Sequence, residues 1–240
     1  MDLLSPMTNK LIQIILPIYN EEDNLPRLFE NLILVRKELS LNLRIILIND
    51  GSFDKTDSII QNFYNARFMT YYKFDKNMGY SSALKKGIHL CDTEGFILLF
   101  DSDNQFDIKE INKLLEYTSD YSVIVGRRSP RADRLSRVLL GNIWSLIGKV
   151  FFGTRLVDLN CGFKLLRADI LKMIDIHSTG PGINLEIFSD KAIKNLLIKE
   201  VKVSHFYRVS GLATGSSLKT LKNSFSDLFK VTCKLIFSKK

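Results

Sequence analysis

The chain reads as an α/β protein, a mostly parallel sheet flanked by helices, and two observations carry that reading. Apolar runs of strand length alternate with helical stretches, and several of the runs break abruptly into acids and amides at their C-terminal ends. Parallel neighbours need crossover helices, so the alternation implies βαβ units. Polar residues at the carboxyl ends of buried strands mark the edge where open α/β sheets bind ligands.

The first strand, Leu11–Ile18, runs into the polar turn 19–24, and a helix follows to about residue 39. The isoleucine-rich run 43–48 is the second strand; it ends in Asn49-Asp-Gly-Ser52, and a helix covers 55–65. A shorter third strand, 69–74, leads through Gly79 into a helix ending near Cys91. Residues 95–100, Gly-Phe-Ile-Leu-Leu-Phe, have the continuous apolar character of a strand buried on both faces. This run stops at Asp101, Asp103 and Asp107, with almost no cation nearby in sequence. Asp107 caps a helix over 108–117, and 121–125 is the fifth strand. From Arg127 the texture changes: 127–137 is strongly basic, and 138–152 is an apolar helix broken by Asn142 and Lys149. Its Trp144, Phe151 and Phe152 face either lipid or the core. Residues 198–203 form a late strand of the same sheet.

No repeat or linker divides the chain, so one domain is expected over 1–217. Residues 218–240 form a basic amphipathic helix that packs on this domain, pairs with another copy or lies on an anionic leaflet. Lys and Arg total 34 against 26 Asp and Glu, a formal net charge of +8 that favours anionic partners. Cys91, Cys161 and Cys233 are far apart, which suggests neither disulfides nor a zinc site and makes a reduced, cytoplasmic setting the expectation. No run of roughly 18 apolar residues is present, so membrane contact is expected to be peripheral. The glycine patterns of dinucleotide-binding and P-loop proteins are absent, as is the aromatic pattern of an RNA-binding sheet, so no nucleic-acid partner is expected.

Asp101 and Asp103 can approach one cation, with Gln105 able to add a neutral oxygen. Magnesium commonly takes one or two carboxylates and completes its shell with water and substrate phosphates. Taken alone, the same acids also read as a solvated capping loop. Pro17, Tyr19 and Glu21 after the first strand, and Asp50 after the second, belong to the same sheet edge. A ring, several acids and a cation there suit a base, a ribose and a diphosphate.

Pro17-Ile-Tyr-Asn-Glu21, Asn49-Asp-Gly-Ser52, Asn77-x-Gly79, Asp101-x-Asp103-x-Gln105, Gly126-Arg-Arg128 and Asp158-x-x-Cys-Gly-Phe163 occur in a telling order and spacing. The set resembles the inverting GT-A glycosyltransferases, and within them the dolichol-phosphate mannosyltransferases and bacterial polyprenyl-phosphate glycosyltransferases, over roughly residues 11–215. The resemblance implies the Rossmann-like nucleotide-diphospho-sugar transferase fold. It implies that Pro17, Tyr19, Glu21, Asp50, Asn77 and Asp101 line the nucleotide-sugar pocket, and that Asp101, Asp103 and Gln105 hold Mg²⁺ or Mn²⁺. Arg128, Arg134 and Arg208 then handle phosphates of donor or acceptor. The implied partners are a UDP- or GDP-linked sugar and a polyprenyl phosphate at the cytosolic membrane face; the sequence leaves open whether a separate membrane protein anchors the enzyme or takes its product.

Catalysis rests on Asp103 and its cation if the acceptor is a phosphate. If the acceptor is a saccharide hydroxyl, a carboxylate must take its proton, and Asp158 and Glu186 are the candidates. The remaining reading is a non-enzymatic nucleotide- or nucleic-acid-binding module. The chain departs from the family pattern at Asn49, where an acid is usual, at Arg127, where Ser is usual, and in the loop 208–217. These departures leave the sugar open. His89 and His177 read as structural, and so first does His205, with a phosphate contact ahead of Phe206-Tyr-Arg208 as its alternative.

Overall fold

The structure, a computed structural model, describes residues 10–180 and 182–208 together with Asp227, Leu228 and Thr232. Its strands are β1 (Leu11–Ile18), β2 (Asn42–Asn49), β3 (Met69–Lys73), β4 (Phe96–Phe100), β5 (Val123–Arg128), β6 (Phe163–Arg167) and β7 (Ile198–Val203). They form one sheet in the order β3-β2-β1-β4-β6-β5-β7. All neighbours are parallel except β6, which runs antiparallel to both β4 and β5. The C-terminal ends of six strands therefore share an edge with the beginning of β6.

Helices α1 (Leu25–Glu38), α2 (Thr56–Phe63) and α4 (Ile111–Leu115) cover one face of the sheet. The other face is covered by α3 (Tyr80–Leu90), α5 (Leu135–Phe152), α6 (Ala168–Lys172), α7 (Ile183–Ser189) and α8 (Lys191–Lys194). Strand β4 shows how the two cores divide. Phe96, Leu98 and Phe100 enter the first core and Ile97 and Leu99 the second, so the whole run is buried.

Several expectations shift. Strand β5 reaches Arg128 rather than stopping at Val125, which puts Arg127 and Arg128 on the strand instead of in a basic loop. The helix expected over 108–117 is a 3₁₀ turn, Ile108–Glu110, followed by α4. The Asp107 side chain does cap that turn, accepting from the Lys109 amide at 3.0 Å. Strand β6 and the short helices α6 to α8 were not anticipated. Most of the proposed C-terminal helix 218–240 lies outside the described residues. Of it, Leu228 packs against the second core and Asp227 is fully buried.

Candidate active site

The strand ends gather most of the residues singled out above. After β1, the Glu21 amide donates to Thr56 Oγ1 at 2.9 Å, and the carboxylate accepts from Asn24 Nδ2 at 2.6 Å and from Arg208. Glu21 is only 7% exposed, and burial raises its pKa against the pull of these donors. Tyr19 meets the exposed Phe53 ring edge to face at 6.2 Å. The Pro17 carbonyl accepts from Ser102 Oγ at 2.8 Å, tying β1 to the acidic loop.

After β2, the Asp50 carboxylate organises the next loop. Its oxygens accept from the amides of Met78 (2.7 Å) and Gly79 (2.9 Å) and from Asn77 Nδ2 (3.0 Å). Burial raises the pKa of Asp50, with the two amides opposing. Gly51 follows at φ +69°, and a Cβ there would lie 2.3 Å from the Lys76 carbonyl carbon, so only glycine lets the two loops touch. Asn49 stays inward, with Nδ2 donating to the Tyr71 hydroxyl and Oδ1 accepting from the Ser52 amide.

Asp101 and Asp103 emerge from β4. Burial, then the neighbouring Asp103 charge, pushes Asp101 up to about 6. Asp103 is also raised by burial, which Arg208, 3.6 Å away, opposes. Tyr80 donates its hydroxyl to Asp101 at 3.2 Å. Gln105 spends its side-chain amide on the Phe206 carbonyl (3.1 Å), while its own carbonyl accepts from the Phe206 amide (2.9 Å). Gln105 thus seats the segment that carries Arg208 over the acids.

The cations missing from the local sequence arrive from far along the chain. Antiparallel β6 brings Lys164 in beside Asp101; this lysine is 1% exposed, donates to the Cys161 carbonyl and has its pKa lowered by burial. Gly162 is packed so tightly that a Cβ would lie 1.9 Å from Asp101 Oδ2. Lys164 was missed by sequence reasoning, and Gly162 entered it only as part of the motif Asp158-x-x-Cys-Gly-Phe163, with no role assigned. The available signal was a lone lysine inside the apolar run Phe163–Leu166, where a buried charge demands a partner.

Asp158 is committed to Arg128. The guanidinium holds it through Nε (2.7 Å) and Nη2 (2.7 Å), and Nη1 reaches Asp133 at 3.1 Å. Burial alone would raise the Asp158 pKa, but Arg128 outweighs it and keeps the carboxyl below the ordinary range. Glu186, on α7, accepts from the amides of His177 (2.9 Å) and Ser178 (2.8 Å) and from Ser178 Oγ (2.7 Å). Both acids therefore have structural work in this geometry. The His205 side chain is 6% exposed, its ring packs on Phe106, and its Nδ1 accepts from the Ala132 amide at 3.1 Å. It is a buried strut rather than a phosphate ligand. Arg134 is exposed at the start of α5.

The paired acids suit a hard divalent cation in their chemistry. Burial and mutual repulsion make the pair poorly stable as two bare anions, which an arriving cation relieves. Among the described residues no group of three or more His, Cys, Asp and Glu side chains could hold a metal, so the remaining ligands would have to be neutral oxygens, water or substrate.

A family model described as glycosyl transferase family 2 matches residues 13–175, more than half of the chain. The chain belongs to that family. This family 2 glycosyltransferase is 28% identical over 225 residues to a dolichyl-phosphate beta-glucosyltransferase of Dictyostelium discoideum, with 83% of this chain and 68% of that protein covered. It is 29% identical over 235 residues to an undecaprenyl-phosphate 4-deoxy-4-formamido-L-arabinose transferase of Photorhabdus laumondii, covering 93% and 68%. Among solved structures, the mannosyl-3-phosphoglycerate synthase of Rubrobacter xylanophilus superposes with a TM-score of 0.74 at 14% identity, covering 98% of this chain and 78% of that one. The glucosyl-3-phosphoglycerate synthase of Mycobacterium tuberculosis, crystallised with Mn²⁺, UDP-glucose and phosphoglyceric acid, gives 0.72 at 14% identity, covering 95% and 82%. These likenesses give the family 2 enzyme a GT-A fold.

Proposed function

We propose that the enzyme transfers a sugar, with inversion, from a UDP- or GDP-sugar to a polyprenyl phosphate at the cytosolic face of a membrane. The observation that carries the choice of acceptor is the state of the two candidate bases. Asp158 is locked to Arg128 with a depressed pKa, and Glu186 is saturated by loop donors. A hydroxyl acceptor would need such a base. A lipid phosphate needs none, because its oxygen is already largely anionic near neutral pH, with a second pKa around 6. The names of the two relatives above, one acting on dolichyl and one on undecaprenyl phosphate, support the same class of acceptor.

In this reading Tyr19, Glu21 and the loop pinned by Asp50 and Asn77 receive the nucleoside. Asp101 and Asp103, with Gln105 close by, hold Mg²⁺ or Mn²⁺ against the donor diphosphate. Once bound, that ion neutralises the charge that grows on the leaving diphosphate. Lys164 sets the field behind Asp101, and Gly162 keeps the carboxylate oxygen in place. Arg208, now on Glu21 and Asp103, is placed to turn toward an entering phosphate. Arg134, exposed at the start of α5, is assigned to a phosphate of donor or acceptor, while Arg128 holds Asp158 and Asp133 in place.

The test incubates the purified protein with Mg²⁺ or Mn²⁺, polyprenyl phosphate in detergent and a panel of UDP- and GDP-sugars, with glycolipid read by mass spectrometry. One donor should yield a glycosyl phospholipid that Asp103→Ala abolishes. Sugar-nucleotide binding without lipid product, together with transfer to a saccharide hydroxyl, would refute the acceptor assignment.

A further inference from the structure

Lys164 occupies a place suited to an apolar side chain. On β6 it stands opposite Leu99 of β4 and Val125 of β5, and it shares a face with Leu166 two residues on. All three of those neighbours belong to the second core. Lys164 itself is 1% exposed, and a buried ammonium is costly unless it is paired. Its Nζ donates to the Cys161 carbonyl, and the next residue, Gly162, is the one packed against Asp101 Oδ2. Burial lowers the pKa of Lys164, while Asp101 and Asp158 are the carboxylates that favour its charged form.

Stability does not explain this lysine. Apolar groups of similar volume in place of a buried ion pair are often neutral or favourable, and this face is already apolar. Nor can so enclosed a side chain touch a substrate. Its influence on the chemistry has to pass through Asp101.

Asp101 and Asp103 alone would attract a divalent ion whether or not a donor were present. A fixed positive charge behind Asp101 opposes a bare cation and attracts a diphosphate, and burial spares both effects from screening by salt. Asp103 has its own counterpart in Arg208, 3.6 Å away. Arg128 and Arg137 act on the two acids as well, from positions already tied to Asp158 and Asp133. Arg208 lies beyond the last strand, whereas Lys164 is held between β4 and β5 inside a seven-stranded sheet. It cannot withdraw when an ion arrives.

We infer that Lys164 is a positioning residue that makes the acidic pair a poor site for a bare divalent ion and a good one for an ion arriving with a diphosphate. The inference rests on the metal-dependent nucleotide-sugar reading, and the experiment separates the two. Mn²⁺ binding to the full chain is followed by loss of the free-ion electron paramagnetic resonance signal, alone and with UDP or GDP. A mildly alkaline buffer keeps the acids ionised. Lys164→Met should bind Mn²⁺ alone about tenfold more tightly than wild type, and the nucleotide alone about tenfold more weakly. The enhancement that each ligand gives the other should shrink accordingly. Leu166→Met, which alters packing on the same face without changing charge, should keep the wild-type affinities.

A lysine that merely props up Asp101 predicts the opposite sign, because a loosened carboxylate binds Mn²⁺ more weakly. Mn²⁺ binding to Lys164→Met no tighter than to wild type would therefore overturn the inference. Lys164→Gln supplies a second neutral variant that has to change in the same direction, and it carries the test where the Met variant does not fold. Tighter Mn²⁺ binding in these variants, with no effect of UDP or GDP on wild type, would support the role of the lysine and sink the nucleotide-sugar reading alone.

Discussion

Arg128 has a side chain only 9% exposed and depends on two acids, Asp158 and Asp133. Removing one partner of a buried ion pair leaves an uncompensated charge, which costs several kcal/mol. Asp158→Ala should therefore lower stability by about 3 kcal/mol, as read by urea unfolding. A mobile catalytic base would give the opposite pattern, lost turnover at unchanged stability. Gly162→Ala tests a different kind of constraint: the added methyl overlaps Asp101 Oδ2, so transfer should fall steeply while the circular dichroism spectrum stays native. His205 supplies a pH dependence. Burial, against the pull of Asp133, lowers its pKa to about 4 from 6.5. The unfolded chain then binds the extra proton first, so stability is complete above about pH 6.5 and declines as the pH falls toward 4. Melting temperature measured across this window should fall more for wild type than for His205→Asn, whose amide oxygen can still accept from Ala132.

Element by element, the first half of the sheet was readable because each strand and its following helix are adjacent in sequence. The period changes from strand to helix and back, and a polar turn marks each switch. Packing between these elements leaves little room for change: a Cβ on Gly87 of α3 would lie 2.3 Å from Cγ2 of Ile15 in β1. Gly87→Ala should destabilise the fold by about 1–3 kcal/mol in chemical denaturation, despite its better helix propensity. Strand β6 escaped notice because it is five residues long, contains a lysine and enters antiparallel between strands that form parallel pairs elsewhere. Nothing local announces such an insertion. The identity of the acidic site was legible from Asp101-x-Asp103-x-Gln105 and its companions. Its cations were not, because Lys164 and Arg208 reach it only through tertiary contacts.

For the molecule as a whole, separating the fold from its ligands gives a further prediction. The two cores are built from aliphatic and aromatic side chains on both faces of the sheet, so folding needs no ion. Chelation should abolish transfer and leave the melting temperature nearly unchanged. Adding Mn²⁺ with a nucleoside diphosphate should raise it by mass action, and Asp101→Ala/Asp103→Ala should remove that increment.

Glu21 and Arg208, joined at the active edge, are separated by 187 residues, whereas the family match ends at residue 175. A chain emerging from the ribosome completes β1 to β4, and with them its acidic residues, long before the guanidinium that faces them exists. Domains are made from the N-terminus onward, and contacts of such long range close last. The growing polypeptide thus carries Asp101 and Asp103 without the cations that face them until first Lys164 and then Arg208 have been made, and its competence to handle phosphate arrives only after β7 has been laid down.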